Sequence, residues 1–149
     1  MSRKLKSKDL KAREKAVEDL ALNPNADSLN ELIELMLNDK EVKIRRKAAL
    51  ALGRLGDDNA CDALAEALKK ENDEEARRNA AISLGKMMDE RAVPALIECY
   101  NAPKKNNFFE NIDRARVNLV LTELAGNLGF ADIEDLIEQT LELVSVIEV

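Results

Sequence analysis

Apolar residues return along this chain at intervals of three and four, the period of a helix with one buried face. Ile44, Ala48, Ala49, Leu52 and Leu55 form one such stripe, and Cys61, Leu64, Ala65 and Leu68 form the next. Polar turn signals separate the stripes. Gly56-Asp57-Asp58-Asn59 ends one helix and offers N-caps for its successor. Asp27 or Ser28, followed by Glu31, reads as a capping box, and Asp89 and Asp132 stand where similar caps are needed. The pattern predicts helices at about 8–22, 28–38, 41–55, 59–70, 74–87, 91–101, 112–127 and 132–147. Strand signals are nearly absent. The β-branched residues of 141–149 weaken helix propensity there, but Ile133, Leu136, Ile137, Val144 and Ile147 keep the helical stripe.

The stripes also repeat as blocks. Residues 44–53, Ile-Arg-Arg-Lys-Ala-Ala-Leu-Ala-Leu-Gly, recur 32 residues later as Ala76-Arg-Arg-Asn-Ala-Ala-Ile-Ser-Leu-Gly85. The match runs on through Asp57, Ala60, Cys61, Ala63 and Leu64 to Asp89, Ala92, Val93, Ala95 and Leu96. Moving 32 residues back finds Ala12, Arg13, Ala16, Val17 and Leu20. A fourth copy, with Val120, Leu124, Ile133 and Leu136, needs eight inserted residues. Such self-similarity marks stacked units, none of which buries its apolar face alone. The expected fold is all-α: a right-handed α-solenoid of about eight helices in two layers, one domain over residues 1–149. An irregular insertion at about 102–111 breaks the register. There, adjacent Phe108 and Phe109 either plug the gap between units or form a protruding recognition loop.

Val42-Lys-Ile-Arg-Arg-Lys-Ala-Ala-Leu-Ala-Leu-Gly-Arg-Leu-Gly-Asp57 and Arg91-Ala-Val-Pro-Ala-Leu-Ile-Glu98 resemble HEAT repeats of the short, phycobilin-lyase-like class. The resemblance covers residues 8–101 well and 112–147 loosely. It implies that helices bearing the Arg-x-x-Ala-Ala pattern line a concave face and that those bearing Ala-Val-Pro-Ala-Leu-Ile line the convex one. It is nearly silent on function and does not imply pigment chemistry.

Composition narrows the chemistry. With 46% apolar residues, mostly Ala and Leu, and 3% aromatics, the chain suits tight helix packing in one domain. No apolar run approaches the roughly 20 residues of a membrane span, and Met1–Lys6 lacks the apolar core of a secretory signal. Cys61 and Cys99 lie in predicted helices beside apolar residues, which favours buried free thiols in a reducing, cytoplasmic setting. The sequence has no His and no Trp, which removes His-based triads and His metal sites. A phosphate-cradling Gly motif is also missing. No catalytic residue, cofactor or metal ligand is therefore expected, and the chain reads as a non-enzyme.

Charge is distributed unevenly. Net charge is −6, yet residues 1–56 hold 13 Lys and Arg against 9 acids, and 132–149 hold six acids and no base. Three columns of residues recur with the repeat. Arg13, Arg45 and Arg77 lie beside the apolar stripe and read as a structural ladder reaching an acid or a turn carbonyl, with Asp57 and Asp89 as candidate partners and ligand contact as the alternative. Glu34, Glu66, Glu98 and Glu138 should form a solvated acidic outer face. The exposed side of the inner helices carries Lys43, Arg46, Lys47, Leu50 and Arg54, then Arg78, Ile82 and Lys86. These eight are the candidate contacts for a protein partner that is acidic and partly apolar, since solenoids commonly bind on this surface. Two other classes stand beside this scaffold reading. One is a nucleic-acid-binding HEAT-like module, opposed by the negative net charge and missing groove aromatics. The other is a maturation or lyase-type accessory subunit, which rests on fold analogy alone. The apolar C-terminal turns are expected either to fold back onto Val117, Val120 and Leu121 or to pack against a second copy of the chain or another protein.

Overall fold

Asp9 opens the first helix, α1 (Leu10–Leu22), by accepting a hydrogen bond from the Lys11 backbone N–H at 3.0 Å. The same device recurs ahead of the later outer helices. Asp57 accepts from the Asn59 N–H and Asp89 from the Arg91 N–H, both at 2.9 Å. Each starts a single turn of 3-10 helix, Asp58–Ala60 and Glu90–Ala92, which leads into α4 (Cys61–Lys70) and α6 (Val93–Asn101). The computed structural model describes residues 6–23, 25–87, 89–101 and 108–147, with backbone alone for 26, 99–101, 108–114, 144, 146 and 147.

The remaining helices are α2 (Leu29–Asn38), α3 (Val42–Leu55), α5 (Glu74–Met87), α7 (Phe108–Leu128) and α8 (Ile133–Ile147). No strand occurs among the described residues. Gly56 terminates α3 in the left-handed region, φ 65°, where a Cβ would be strained. Gly129, φ 86°, turns the chain between α7 and α8. Asp132 caps α8 by accepting from the Asp135 N–H.

Helices α1, α3, α5 and α7 touch in succession and form the inner layer, and α2, α4, α6 and α8 stack as the outer layer. Between them runs one continuous core of Val17, Leu32, Ile44, Leu52, Leu64, Leu84, Leu96, Leu121, Leu124 and Leu136, all essentially fully buried. Small side chains let the inner helices approach closely. Ala48 and Ala80 are wholly buried, and a Cβ added to Gly53 would lie 2.3 Å from Ser83 Oγ. The Ser83 hydroxyl meanwhile donates to the Ala49 carbonyl at 2.7 Å, tying α5 to α3.

The arginine column holds the turns. The Arg13 side chain donates to the Ser7 carbonyl and to the Asp39 carboxylate, at 2.7 and 3.2 Å. Arg45 donates to the Asp39 carbonyl and to the Glu71 carboxylate, at 2.9 and 2.7 Å. Arg77 donates to the Glu71 carbonyl at 2.9 Å. Each turn thus receives one arginine at its carboxylate and the next at its carbonyl. Burial is the largest influence on Glu71 and raises its pKa, but the Arg45 hydrogen bond, the Asp73 N–H and the Arg45 charge together outweigh it and hold the group below the ordinary value. The expected partners Asp57 and Asp89 are incorrect, because both carboxylates are spent as caps at the opposite end of the repeat.

Two further expectations change. Ser28 makes no capping hydrogen bond to α2, and its hydroxyl instead donates to Asn25 Oδ1 at 2.6 Å. The irregular insertion is shorter than 102–111, because residues 108–111 already belong to α7. After Pro103 no helix breaker intervenes, so the periodic segment extends back through Phe108 and Phe109. These two residues occupy the first turn of a helix rather than a loop, and their side chains lie outside the described residues.

Candidate functional site

The free side of the inner layer carries the eight predicted contact residues on α3 and α5. Neighbouring repeats already engage several of its cations. Lys47 Nζ pairs with Glu14 Oε1 at 2.7 Å and also with Glu18, both on α1. Burial opposes the Lys47 charge, but these two carboxylates more than compensate, and its pKa is raised. Arg46 pairs with Asp73 at 2.7 Å and Glu75 at 2.6 Å, ahead of and within α5. The Arg46 hydrogen bond, opposed by partial burial and helped by the Ala76 N–H, holds Asp73 at about 2. Arg78 pairs with Glu74 one turn earlier in its own helix, at 3.2 Å. The surface is therefore a charge-paired seam. The sequence shows these acids, but pairs about 30 residues apart become visible only when the helices are laid side by side.

What stays available is narrower. Lys43 and Lys86 are exposed and form no ion pair among the described residues, while Arg54 is exposed and donates to the Ala21 carbonyl at 3.1 Å. Leu50 and Ile82 are half-buried at matching positions of α3 and α5. Because Ile82 follows Leu50 by one repeat, the two form adjacent apolar points on the same side of the layer.

A third point escaped the sequence reading. An added Cβ at Gly53 would meet Ser83, and one at Gly85 would meet Val120 Cγ2 at 2.9 Å. Val120 therefore does on α7 what Ser83 does on α5, an offset of 37 residues. The outer helices keep the expected offset of 40, since Val93 and Leu96 correspond to Ile133 and Leu136. With 37 in force, Leu119 continues the column of Leu50 and Ile82, and it is 50% exposed. The 40-residue offset would have put Thr122 there. The burial phase of α7 agrees: Val117, Val120, Leu121, Leu124 and Ala125 face the core and leave Leu119 opposite it.

Elsewhere the structure is plain. Glu34, Glu66, Glu98 and Glu138 are all exposed on the outer helices, as expected. Glu66 pairs with Lys70, and Glu98 with Lys69 of the preceding unit. The Cys61 thiol is free and buried, and desolvation pushes its pKa up to about 11, far from nucleophilic. Cys99 lies within α6, but its side chain is outside the described residues. Among the described residues no group of His, Cys, Asp or Glu is placed to hold a metal ion, and no helix is long and apolar enough to cross a membrane. In α8, Leu136 is buried against α6 and α7, whereas Leu141 and Leu143 are 52% and 66% exposed. The fold-back of the tail onto α7 thus stops short of these two leucines.

The profile of HEAT repeats matches residues 3–84 and, in a second stretch, 60–107. The match is to HEAT repeats as such, without the narrower phycobilin-lyase-like class. No curated protein matches the sequence. With more than half of the chain matched and two stacked helical layers built from its repeats, the protein belongs to the HEAT-repeat family.

Proposed function

We propose that this protein is a non-enzymatic interaction scaffold whose concave inner face holds an acidic, partly apolar protein segment. HEAT repeats generally mediate protein–protein interaction, and the finer reading rests on one observation. Leu50 and Ile82 stand side by side on the free face of the inner layer, with exposed Lys43, Arg54 and Lys86 around them. Partly exposed aliphatic side chains rimmed by cations suit a partner of opposite charge with its own apolar anchors. The paired residues Arg46, Lys47 and Arg78 contribute shape, and a partner's acids compete for them with Glu14, Glu18 and Asp73. A cytoplasmic setting belongs to the same reading, from a buried free thiol at Cys61.

The test is site-specific photo-crosslinking in cells. A crosslinking residue replaces Leu50 or Ile82 on the inner face, or Glu66 on the outer face. Protein adducts from the two inner positions and none from Glu66 support the reading. Adducts to nucleic acid, or adducts from the outer position alone, overturn it. A steep salt-dependent affinity of the purified chain for random DNA would favour the nucleic-acid alternative. Self-association is a second reading, favoured by exposed Leu141 and Leu143 at the end of α8. It is checked by sedimentation of the chain carrying Leu141→Glu and Leu143→Glu, which then runs as a smaller species.

A further inference from the structure

We infer that the inner face seats an α-helix of about four turns, lying across α3, α5 and α7 on Leu50, Ile82 and Leu119. This rests on the inner-face reading above and goes further, naming the occupant and adding α7 to the site. The spacing points to it. Neighbouring packed helices lie roughly 8–10 Å apart, so three points on successive helices span about 16–20 Å. A helix rising about 1.5 Å per residue covers that distance in about 11–14 residues, with apolar side chains two turns apart.

The backbone chemistry separates a helix from an extended strand. A strand laid on this face brings unpaired N–H and C=O groups, and the inner helices have already spent theirs. The Asn79 amide of α5 is buried and already donates to the Arg46 carbonyl at 3.2 Å. A helix satisfies its own backbone and needs only the apolar points.

Charge sets the direction. Arg54 and Lys86 stand one turn beyond Leu50 and Ile82, and both are exposed. Glu123, also exposed, holds the corresponding place beyond Leu119. The bound helix is therefore acidic along one flank over α3 and α5, while over α7, where exposed Arg116 precedes Leu119 by one turn and Glu123 follows it, neither sign is selected. Glu18, paired with Lys47, takes the matching position on α1 and ends the apolar track there.

The probe is a synthetic 18-residue peptide, stapled into a helix on its solvent side. It carries leucines at seven-residue spacing and glutamates along one flank of its first two-thirds. Binding to the purified full chain is read by fluorescence anisotropy. Leu50→Asp, Ile82→Asp and Leu119→Asp are each expected to weaken binding tenfold or more. Leu119→Gln should follow Leu119→Asp, and Thr122→Asp should leave binding unchanged. An unstapled version broken by proline should bind at least tenfold more weakly, as should one with lysines for glutamates. If Leu119→Asp binds like the parent while Leu50→Asp and Ile82→Asp weaken, the three-helix track is overturned and the inner-face reading stands. Equal binding by the proline-broken peptide overturns the helical occupant. No binding by the stapled peptide, or binding indifferent to all three aspartates, also overturns this inference. The inner-face reading is judged separately by its crosslinks.

Discussion

Single side chains in this protein act by what stands directly across the interface. Gly53 is the sharpest case. Alanine normally gains roughly 1 kcal/mol over glycine inside a helix, but here its Cβ would lie 2.7 Å from Ser83 Cβ and 3.0 Å from Ser83 Cα. Ser83 is held by its bond to the Ala49 carbonyl. Overpacking therefore wins, and Gly53→Ala is expected to lose about 1–3 kcal/mol in urea unfolding. Arg45 is sensitive for a different reason. It joins two turns through a carboxylate that is 8% exposed and a main-chain carbonyl. Arg45→Ala should cost on the order of 2–3 kcal/mol, and Arg45→Lys should not restore it, because an ammonium lacks the fork that reaches both. Asp73 adds a pH dependence. Its folded pKa of about 2 lies below the ordinary 3.8, so the stability it contributes is fully present above about pH 4. It is lost as pH falls through 2. Asp73→Asn should flatten that part of an acid-unfolding curve measured by circular dichroism, relative to the parent.

At the scale of the helix, the alternation of stripe and cap made element positions readable in advance. The 32-residue copies place Ala48 and Ala80 where two inner helices meet, and both are fully buried. Ala48→Leu should cost on the order of 1–3 kcal/mol in thermal or urea unfolding by forcing α3 from its neighbours. The starts of α4 and α6 were read about two residues early, because an aspartate cap opens a 3-10 turn before the α-helix proper. At the other end of the chain, α8 is anchored by Leu136, with Ile133 and Ile137 half-buried beside it. Leu141 and Leu143 add little burial. Leu141→Ala with Leu143→Ala should therefore lower stability by less than about 1 kcal/mol, as these two side chains are already largely in water. A large drop in melting temperature would show that the last turns act as a cap.

Over the whole molecule, the two layers sort the charges differently. Outer acids such as Glu34 and Glu138 point to solvent, while inner acids such as Glu14 and Glu75 are drawn onto cations of a neighbouring repeat. Exposed Lys43 and Lys86 can be reversed without breaking such pairs. Lys43→Glu with Lys86→Glu should slow association with the crosslinked partner, increasingly so at low salt, and leave the melting temperature within about a degree or two. Reversal of Arg46 would instead disturb Asp73 and Glu75, so its effects on binding and stability would be mixed.

Period and pattern alone were enough for the stacked repeats, the eight helices among the described residues, the buried alanines and the outer glutamates. Those features depend on which face of a helix is apolar, and a one-dimensional chain states that directly. The partners of Arg13, Arg45 and Lys47 were not readable in the same way. Each pair joins turns or helices 26 to 33 residues apart, and several acids lie at comparable spacing. Leu119 was hidden for a related reason. Eight extra residues can be divided between two connections in many ways, and no propensity favours one division. The contact of Gly85 with Val120 decides it, placing five before α7's packing point and three after. A rotation of a helix by a fraction of a turn leaves its local pattern untouched yet determines which leucine lies on the free side of the inner layer.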